Sequence, residues 1–184
     1  MTLREYQRKR HFTETPEPAG SETEAADASP HPAAAPLHFV VQKHRARQLH
    51  YDFRLEWDGV LLSWAVPKGI PADPKTRRLA VRVEDHPLEY AKFEGRIPEG
   101  QYGAGTVEIW DEGEWRPDDP SVNVALRRGE LRFHLMGKRL KGGWVLVRTR
   151  FGETRSKQQT WLLIKRKEDA AAPRRAAAGA RRER

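Results

Sequence analysis

Cysteine is absent from this chain of 184 residues. Without thiols the protein has no disulfide bonds, no thiolate metal site and no cysteine nucleophile, so histidine, aspartate and glutamate are the side chains left to bind a metal. Long apolar runs are absent as well: none approaches the roughly 18 residues that cross a bilayer, and the N-terminus lacks the apolar core of a signal peptide. From these absences we expect a soluble, cytoplasmic protein with no membrane partner.

Positive charge is in excess. Lys and Arg number 34 against 26 Asp and Glu, which gives a formal net charge of +8, and the pI is about 10.0. This excess favours a polyanionic partner such as nucleic acid over an acidic protein or a neutral metabolite. The length suits one domain, and 38% hydrophobic with 33% charged residues indicates a modest core with flexible ends.

The composition divides the chain into three parts. Residues 1–12 form a basic arm with four cationic side chains and one glutamate, which either follows a phosphate backbone or stays solvated. Residues 13–36 hold five acids and no Lys or Arg among many Pro, Ala and Ser, a composition typical of a disordered linker without core residues. We expect a folded domain at 37–172 and a basic, disordered tail at 173–184.

Most of residues 37–172 predict short strands separated by turns. Asp58-Gly59 predicts a tight hairpin because both residues tolerate positive φ, and Asp119-Pro120 followed by residues 121–127 and Gly129 predicts one short helix. The eight predicted strands are Leu37–Lys43, Leu49–Trp57, Val60–Val66, Leu79–Glu84, Thr106–Trp110, Leu131–Leu135, Trp144–Arg150 and Trp161–Lys165. This spacing favours an antiparallel barrel or sandwich. We expect a mainly all-β fold, an antiparallel eight-stranded β-barrel with short flanking helices and a flexible N-terminal arm.

Residues Gln48–Trp57 alternate without a break between polar and apolar side chains. In a strand, one face therefore holds only polar groups, among them His50, Asp52 and Arg54. A tight connection through residues 45–48 would bring His44 near His50, so that two imidazoles and one carboxylate converge. Such a set suits Mn²⁺, Fe²⁺, Co²⁺ or Zn²⁺. The alternative is an ordinary surface hydrogen bond between His50 and Asp52, with His44 at the rim.

A second predicted strand places Arg78, Arg82, Glu84 and His86 in one phase. Guanidinium groups match phosphate oxygens with paired hydrogen bonds, and an imidazole can bind phosphate or protonate a leaving alkoxide. The alternative is a solvated face of Arg and Glu pairs.

Two further residues lie near these strands. Tyr90 could donate to an oxyanion or simply close a core edge, and Lys68 lies where a strand meets a turn. The glycine-rich run at residues 99–105 lacks the spacing of a phosphate-binding P-loop and predicts a strand connection.

Six segments, in this order along the chain, resemble the 3′-phosphoesterase domain of bacterial DNA ligase D in its stand-alone form. They are Arg8-Lys9-Arg10 with Thr15-Pro16-Glu17-Pro18, Phe39–His44, Leu49–Glu56, Ser63–Gly69, Val83–Tyr90 and Ile97–Gly105. The resemblance implies a Mn²⁺-dependent enzyme of DNA repair by non-homologous end joining, built on a β-barrel with an exposed groove. Such an enzyme removes 3′-phosphates and trims 3′-terminal ribonucleosides to leave a 3′-OH. Co²⁺ and Zn²⁺ are alternative metals.

The resemblance also implies roles for residues. His44, His50 and Asp52 match the metal ligands. The residues that match phosphate-binding and catalytic positions are Arg54, His86, Tyr90, Lys68 and Arg78, and those that match contributing positions in the same site are Gln42 and Glu84. Arg10 and Glu17 match an N-terminal segment that folds over the active site. His11 stands where the family usually has Asp, and we expect this replacement to weaken the ribonuclease step or to change its pH dependence.

The expected partners are DNA 3′ ends, as primer–templates with a 3′-ribonucleotide or 3′-phosphate, together with a separate DNA ligase and an end-binding protein. We expect a monomer. One rival is a non-catalytic nucleic-acid-binding barrel that uses the same basic face without metal. Another is a non-haem iron oxygenase, since two histidines and a carboxylate resemble a facial triad, but this reading gives the arginines no purpose.

Overall fold

The computed structural model describes residues 2–20, 36–149 and 158–167. The predicted tail at 173–184 and the middle of the predicted linker lie outside these residues. The helices and strands, in chain order, are α1 Leu3–Arg8, β1 Leu37–Arg45, β2 Leu49–Trp57, β3 Val60–Val66, β4 Arg77–Arg82, a 3-10 helix Leu88–Lys92, β5 Gly95–Ile97, β6 Gly105–Pro117, α2 Val122–Arg128, β7 Glu130–Gly137, β8 Lys141–Thr149 and β9 Thr160–Lys165. Within the described residues, no helix has the length and hydropathy to cross a bilayer.

Eight strands close into an antiparallel barrel, in the order β1-β2-β3-β4-β9-β8-β7-β6 and back to β1. This confirms the predicted fold. Closure depends on β6, which is 13 residues long and pairs with β1 along one side. Its other side pairs first with β5 and then with β7. The short strand β5, which the sequence did not predict, is therefore a ninth strand outside the closed ring.

The apolar faces of the strands fill the barrel as alternation predicts. Phe53 and Leu55 of β2 are fully buried there with the core tryptophans of β3, β8 and β9. Leu49 shares that phase but is exposed, because it lies at the start of β2 beyond the packed core. Leu79 of β4 is exposed because it lies on the outer face, since its neighbour Ala80 is the residue that joins the core. The predicted helix is confirmed as α2, whose first turn is capped by the Ser121 hydroxyl and which ends at Gly129 with φ of 89°.

A second apolar cluster lies on the outside of the barrel, and it joins segments that are far apart in sequence. Its buried members are Tyr6, Leu61, Tyr90, Phe93, Ile97 and Val107. Tyr6 of α1 is 0% exposed, and its hydroxyl donates to the Pro18 carbonyl at 2.6 Å. Residues 2–20, which we expected to belong to a flexible arm and linker, instead pack on the barrel wall, because α1 contributes an aromatic side chain that the outer cluster buries.

Candidate active site

A cavity of about 310 Å³ lies under this outer cluster, against β1, β2 and β3. The loop after β4, the 3-10 helix, the N-terminal segment and the loop before β6 form its other walls. The lining residues are Arg10, His44, Ala46, His50, Asp52, Arg54, Ala65, Val83, Glu84, His86, Tyr90, Ile97, Tyr102 and Gly103. Polar groups on the outer face of the barrel are thus covered by chain from four places rather than left open to solvent.

His44, His50 and Asp52 meet at one side of the cavity. His44 and His50 are direct partners across the β1–β2 ladder, as the tight connection predicted. The Asp52 carboxylate lies between them, with Oδ2 3.4 Å from Nδ1 of His44 and Oδ1 3.7 Å from Nε2 of His50. One ligand atom from each residue lies within 4.8 Å of the others, so the three can contact a single cation.

Backbone carbonyls fix which nitrogen of each histidine is free. Nε2 of His44 lies 2.8 Å from the Gly103 carbonyl oxygen, and Nδ1 of His50 lies 3.0 Å from the Gln48 carbonyl oxygen. A carbonyl only accepts, so each of these nitrogens carries a proton, and the other nitrogen, which faces Asp52, is the one that a metal could bind. This is how protein backbones orient metal-binding imidazoles. The donor set of two imidazole nitrogens and one carboxylate fits a divalent transition metal.

Asp52 is ionised at neutral pH although it is buried. Burial raises the pKa of the carboxyl, but the adjacent Arg54 guanidinium, the His44 hydrogen bond and His50 together hold it below its usual value. A charged carboxylate is the form that binds a cation, so the site is prepared for metal without a proton having to leave.

Arg54 stands beside this triad with its guanidinium fixed on three sides. Nε donates to Gln42 Oε1 at 2.8 Å and Nη1 donates to Ser63 Oγ at 2.8 Å. Nη2 lies 3.2 Å from Asp52 Oδ2. The Tyr90 ring lies 4.8 Å from the guanidinium carbon. Arg54 therefore brings a positive charge of defined position next to His44, His50 and Asp52.

His86 lies across the cavity and is neutral. Its Nδ1 donates to the Glu84 carbonyl at 2.9 Å, and its Nε2 lies 3.4 Å from Nη2 of Arg10. Burial, followed by the charges of Arg54 and Arg10, lowers the pKa of His86 well below its ordinary 6.5. The Nε2 lone pair consequently points into a positively charged space.

The N-terminal segment reaches the cavity through Arg10. Its Nε donates to Glu17 Oε1 at 2.8 Å, and its Nη1 donates to Glu84 Oε1 at 3.2 Å. Glu17 Oε1 also accepts from the Tyr90 hydroxyl at 3.0 Å. Burial raises the pKa of Glu84, but the hydrogen bond from Lys9 and the charges of Lys9 and Arg10 lower it by more, so the pKa lies below its usual value. Buried charges of both signs thus hold this segment against the cavity that His44, His50 and Asp52 line.

Comparison with known proteins agrees with this geometry. The sequence model of the DNA ligase D 3′-phosphoesterase domain matches residues 42–148, more than half of the chain. The chain belongs to this family.

Three relatives illustrate the family. The chain is 52% identical over 170 residues to the multifunctional non-homologous end joining protein LigD of Pseudomonas aeruginosa. The aligned residues make up 92% of this chain and 19% of that protein. It is 46% identical over 156 residues to the multifunctional non-homologous end joining DNA repair protein LigD of Mycobacterium tuberculosis, covering 80% of this chain and 18% of that protein. For the LigD protein of Mycolicibacterium smegmatis the identity is 39% over 171 residues, 90% of this chain and 21% of the relative. The chain spans about a fifth of the length of these relatives.

Two positions that match phosphoesterase residues lie apart from this cavity. Arg78 pairs with buried Leu163 across the β4–β9 ladder, so it shares the inner face of the barrel wall. Lys68 is exposed in the turn after β3. Neither residue lines the cavity among the described residues.

The interpretation of one polar row from Arg78 to His86 is wrong. Arg82 pairs with core residue Trp64, and its guanidinium carbon lies 4.7 Å from the Trp64 ring. β4 ends at Arg82, and the chain then bends, so that His86 forms a bridge with Leu61 of the outer cluster. Strand phase therefore does not carry through to Glu84 and His86, which reach the outer face by a different path.

Sequence reasoning missed several groups that shape this candidate site. The Gly103 carbonyl orients His44, but a backbone oxygen leaves no signature in a sequence. Ser63 binds Arg54, and the only signal was a polar residue in the phase of Leu61 and Ala65. Tyr6 contacts the His86 ring with centroids 4.7 Å apart, a contact spanning residues too distant for any local pattern.

Proposed function

We propose that this chain is a Mn²⁺-dependent 3′-phosphoesterase that processes DNA ends in repair by non-homologous end joining. It removes 3′-phosphates and trims 3′-terminal ribonucleosides to leave a 3′-OH. One observation carries the proposal: a single cavity joins a His-His-Asp set, with its free ligand atoms within 4.8 Å, to Arg54, Arg10 and His86. Family membership, and the non-homologous end joining named for the relatives, support the repair setting.

His44 Nδ1, His50 Nε2 and an Asp52 oxygen would hold the Mn²⁺, or Co²⁺ or Zn²⁺ with the same ligands. A metal so placed supplies Lewis acidity toward a phosphate oxygen and toward water. The remaining cavity charge comes from Arg54 and Arg10, which are buried and rigidly bonded. They would neutralise negative charge on the phosphate as the phosphorus–oxygen bond breaks, and a fixed guanidinium does this without reorganising.

His86 has the position for proton transfer. In the hydrolysis a water oxygen bonds to phosphorus and gives up a proton, while the bond between phosphorus and the 3′ oxygen breaks. The 3′ oxygen leaves with the electron pair and must gain a proton. A phosphate dianion entering the cavity offsets the charges of Arg54 and Arg10, so the pKa of His86 rises on substrate binding. Nε2 then carries a proton to give to the phosphate or to the leaving oxygen.

The other expected residues act by position in this proposal. Gln42 and Glu17 hold Arg54 and Arg10, Glu84 holds Lys9 and Arg10, and Tyr90 closes the wall between them. For Lys68 and Arg78, a part in phosphate binding remains a prediction from the family alone. We further propose a cytoplasmic monomer that acts beside a separate ligase and end-binding protein. Because His11 replaces the usual Asp, the 3′-phosphatase step should exceed the ribonuclease step.

The test uses a primer–template with a 3′-phosphate or a 3′-monoribonucleotide, incubated with Mn²⁺, Zn²⁺ or no metal, with the products resolved on a gel. We expect metal-dependent release of phosphate and a slower loss of the ribonucleoside. A nucleic-acid-binding barrel would bind the DNA and release nothing, and its affinity would fall with a slope of about −0.7 in log salt for each of many phosphates contacted. An oxygenase would instead consume oxygen with a keto-acid.

A further inference from the structure

Tyr102 is an exposed aromatic side chain at the mouth of the cavity. It lies in the loop between β5 and β6 and lines the cavity beside His44 and Arg10. Its side chain is 45% exposed, whereas Tyr6 and Tyr90, the other tyrosines of this region, are buried in the outer cluster. An apolar ring held open to solvent beside a charged cavity is suited to a flat ligand.

The loop that carries this ring is compact, and it also contacts His44. Gly103, the next residue, uses its carbonyl to bind Nε2 of His44 at 2.8 Å. Two backbone hydrogen bonds, from Gln101 to Pro98 and from Ala104 to Gln101, make the loop compact. The side-chain amide of Gln101 also donates from Nε2 to Glu14 Oε2 at 2.6 Å. The Tyr102 ring therefore lines the same cavity as His44, His50 and Asp52.

Cations accompany the ring. Nζ of Lys9 lies 4.8 Å from the ring centroid, and the Arg10 guanidinium carbon lies 5.4 Å from it. Polar cavities that pair cations with an aromatic ring bind nucleic-acid ends well, because the cations meet the phosphate while the ring stacks on a base. Here Arg10 extends from the ring to His86, so both elements belong to one surface.

We propose that Tyr102 is the stacking platform for the nucleobase of the 3′-terminal nucleotide whose phosphate reacts. The proposal rests on the proposed function for the identity of the ligand, a DNA 3′ end. It adds a base subsite to a phosphate site. Stacking tolerates every base, so the subsite would favour ends that carry a base over ends that lack one, without sequence preference.

A simpler role for Tyr102 is to anchor Lys9 and Arg10, and the experiment separates the two. Phosphate release is measured on two primer–templates with Mn²⁺: one with a 3′-phosphate on a normal nucleotide, the other with a 3′-phosphate on an abasic tetrahydrofuran residue. We expect the wild-type protein to prefer the base-bearing end by about 5- to 100-fold in kcat/KM. Tyr102→Leu should remove this preference, and Tyr102→Phe should keep it. If Tyr102→Leu lowers both rates equally, or if the wild-type protein does not distinguish the two ends, the proposal is wrong.

A second measurement does not depend on turnover. The oligonucleotide carries 2-aminopurine at its 3′ terminus, and its fluorescence falls when the base stacks. Without metal, wild-type protein and Tyr102→Phe should quench it, whereas Tyr102→Leu should bind without quenching. Val124→Ala, which truncates a similarly exposed side chain on α2, serves as the control and should match wild type. If the wild-type protein quenches the fluorescence but releases no phosphate, stacking on Tyr102 is supported and the proposed reaction is wrong. If phosphate is released but Tyr102→Leu still quenches, the reaction is supported and the stacking role of Tyr102 is wrong.

Discussion

Gln42 Oε1 accepts a hydrogen bond from Arg54 Nε at 2.8 Å, in a wall where the two side chains are 0% and 2% exposed. The amide nitrogen of Gln42 donates in turn to the carbonyls of Tyr90 and Phe93, each at 2.9 Å. One amide thus joins strand β1, the guanidinium on β2 and the 3-10 helix. The cavity keeps its shape because this single side chain of β1 satisfies polar groups from two other elements.

Gln42→Leu should therefore destabilise the protein and impair the site together. The change leaves the Arg54 Nε–H and two buried carbonyls without this partner, which we expect to cost about 3 kcal/mol in the free energy of unfolding. Urea denaturation measures it, with phosphate release assayed in parallel. Asn123→Leu on the exposed face of α2 is the matched amide control. A loss below about 1 kcal/mol would show that Gln42 does not hold the wall.

His50→Ala should abolish metal-dependent activity while leaving the fold intact. The imidazole is one of the three proposed metal ligands, and its loss should reduce Mn²⁺ affinity and phosphate release by at least about 100-fold. Calorimetric titration with Mn²⁺ and the release assay check this, and a chelator should inhibit wild type reversibly. His38→Ala removes an exposed histidine of β1 and should behave as wild type. Near-normal activity in His50→Ala would exclude the ligand assignment.

His86 should make stability fall at acidic pH. Its pKa in the folded protein is well below 6.5, the ordinary value that applies to the unfolded chain. At a pH between the lowered pKa and 6.5, the unfolded chain therefore binds a proton that the folded protein does not. The stability that depends on neutral His86 is fully present above about pH 6.5. It is lost as the pH falls, and the free energy of unfolding then changes by up to about 1.4 kcal/mol per pH unit. Unfolding free energies of metal-free wild type and His86→Asn at about pH 7.5 and about pH 5.5 should differ in slope by this amount. Parallel slopes in the two proteins would contradict it.

Arg10→Met should loosen the N-terminal segment. The substitution leaves the buried Glu17 carboxylate without its cation, a change that costs about 3 kcal/mol or more for buried pairs. Arg10→Met with Glu17→Gln should recover part of the loss, because no unpaired buried charge remains at that position. Hydrogen exchange of the α1 amides reports the opening. Arg8→Met, on the exposed face of the same helix, should leave exchange unchanged, and unchanged exchange in Arg10→Met would refute the coupling.

The barrel was predictable from the sequence because its signals are local. Alternation in β2 and the Asp58-Gly59 turn set the strand phase, and the short connection after Arg45 sets the His44–His50 pairing. The elements that cover the site were not predictable. α1 has six residues and β5 has three, too few for a periodic pattern, and both depend on contacts with the outer cluster. Phase identifies which side chains share a face, but it does not say what packs over that face.

The attachment of β5 by only three ladder pairs, Gly95–Val107 to Ile97–Gly105, makes it the least secured strand around the cavity. A partial opening of β5 and the loop after it, with the closed ring intact, would withdraw the Gly103 carbonyl and let the His44 ring exchange its proton between nitrogens. Bound cation would stabilise the closed state by mass action. With the proposed metal site, cation binding and the order of this one short strand would therefore be thermodynamically linked.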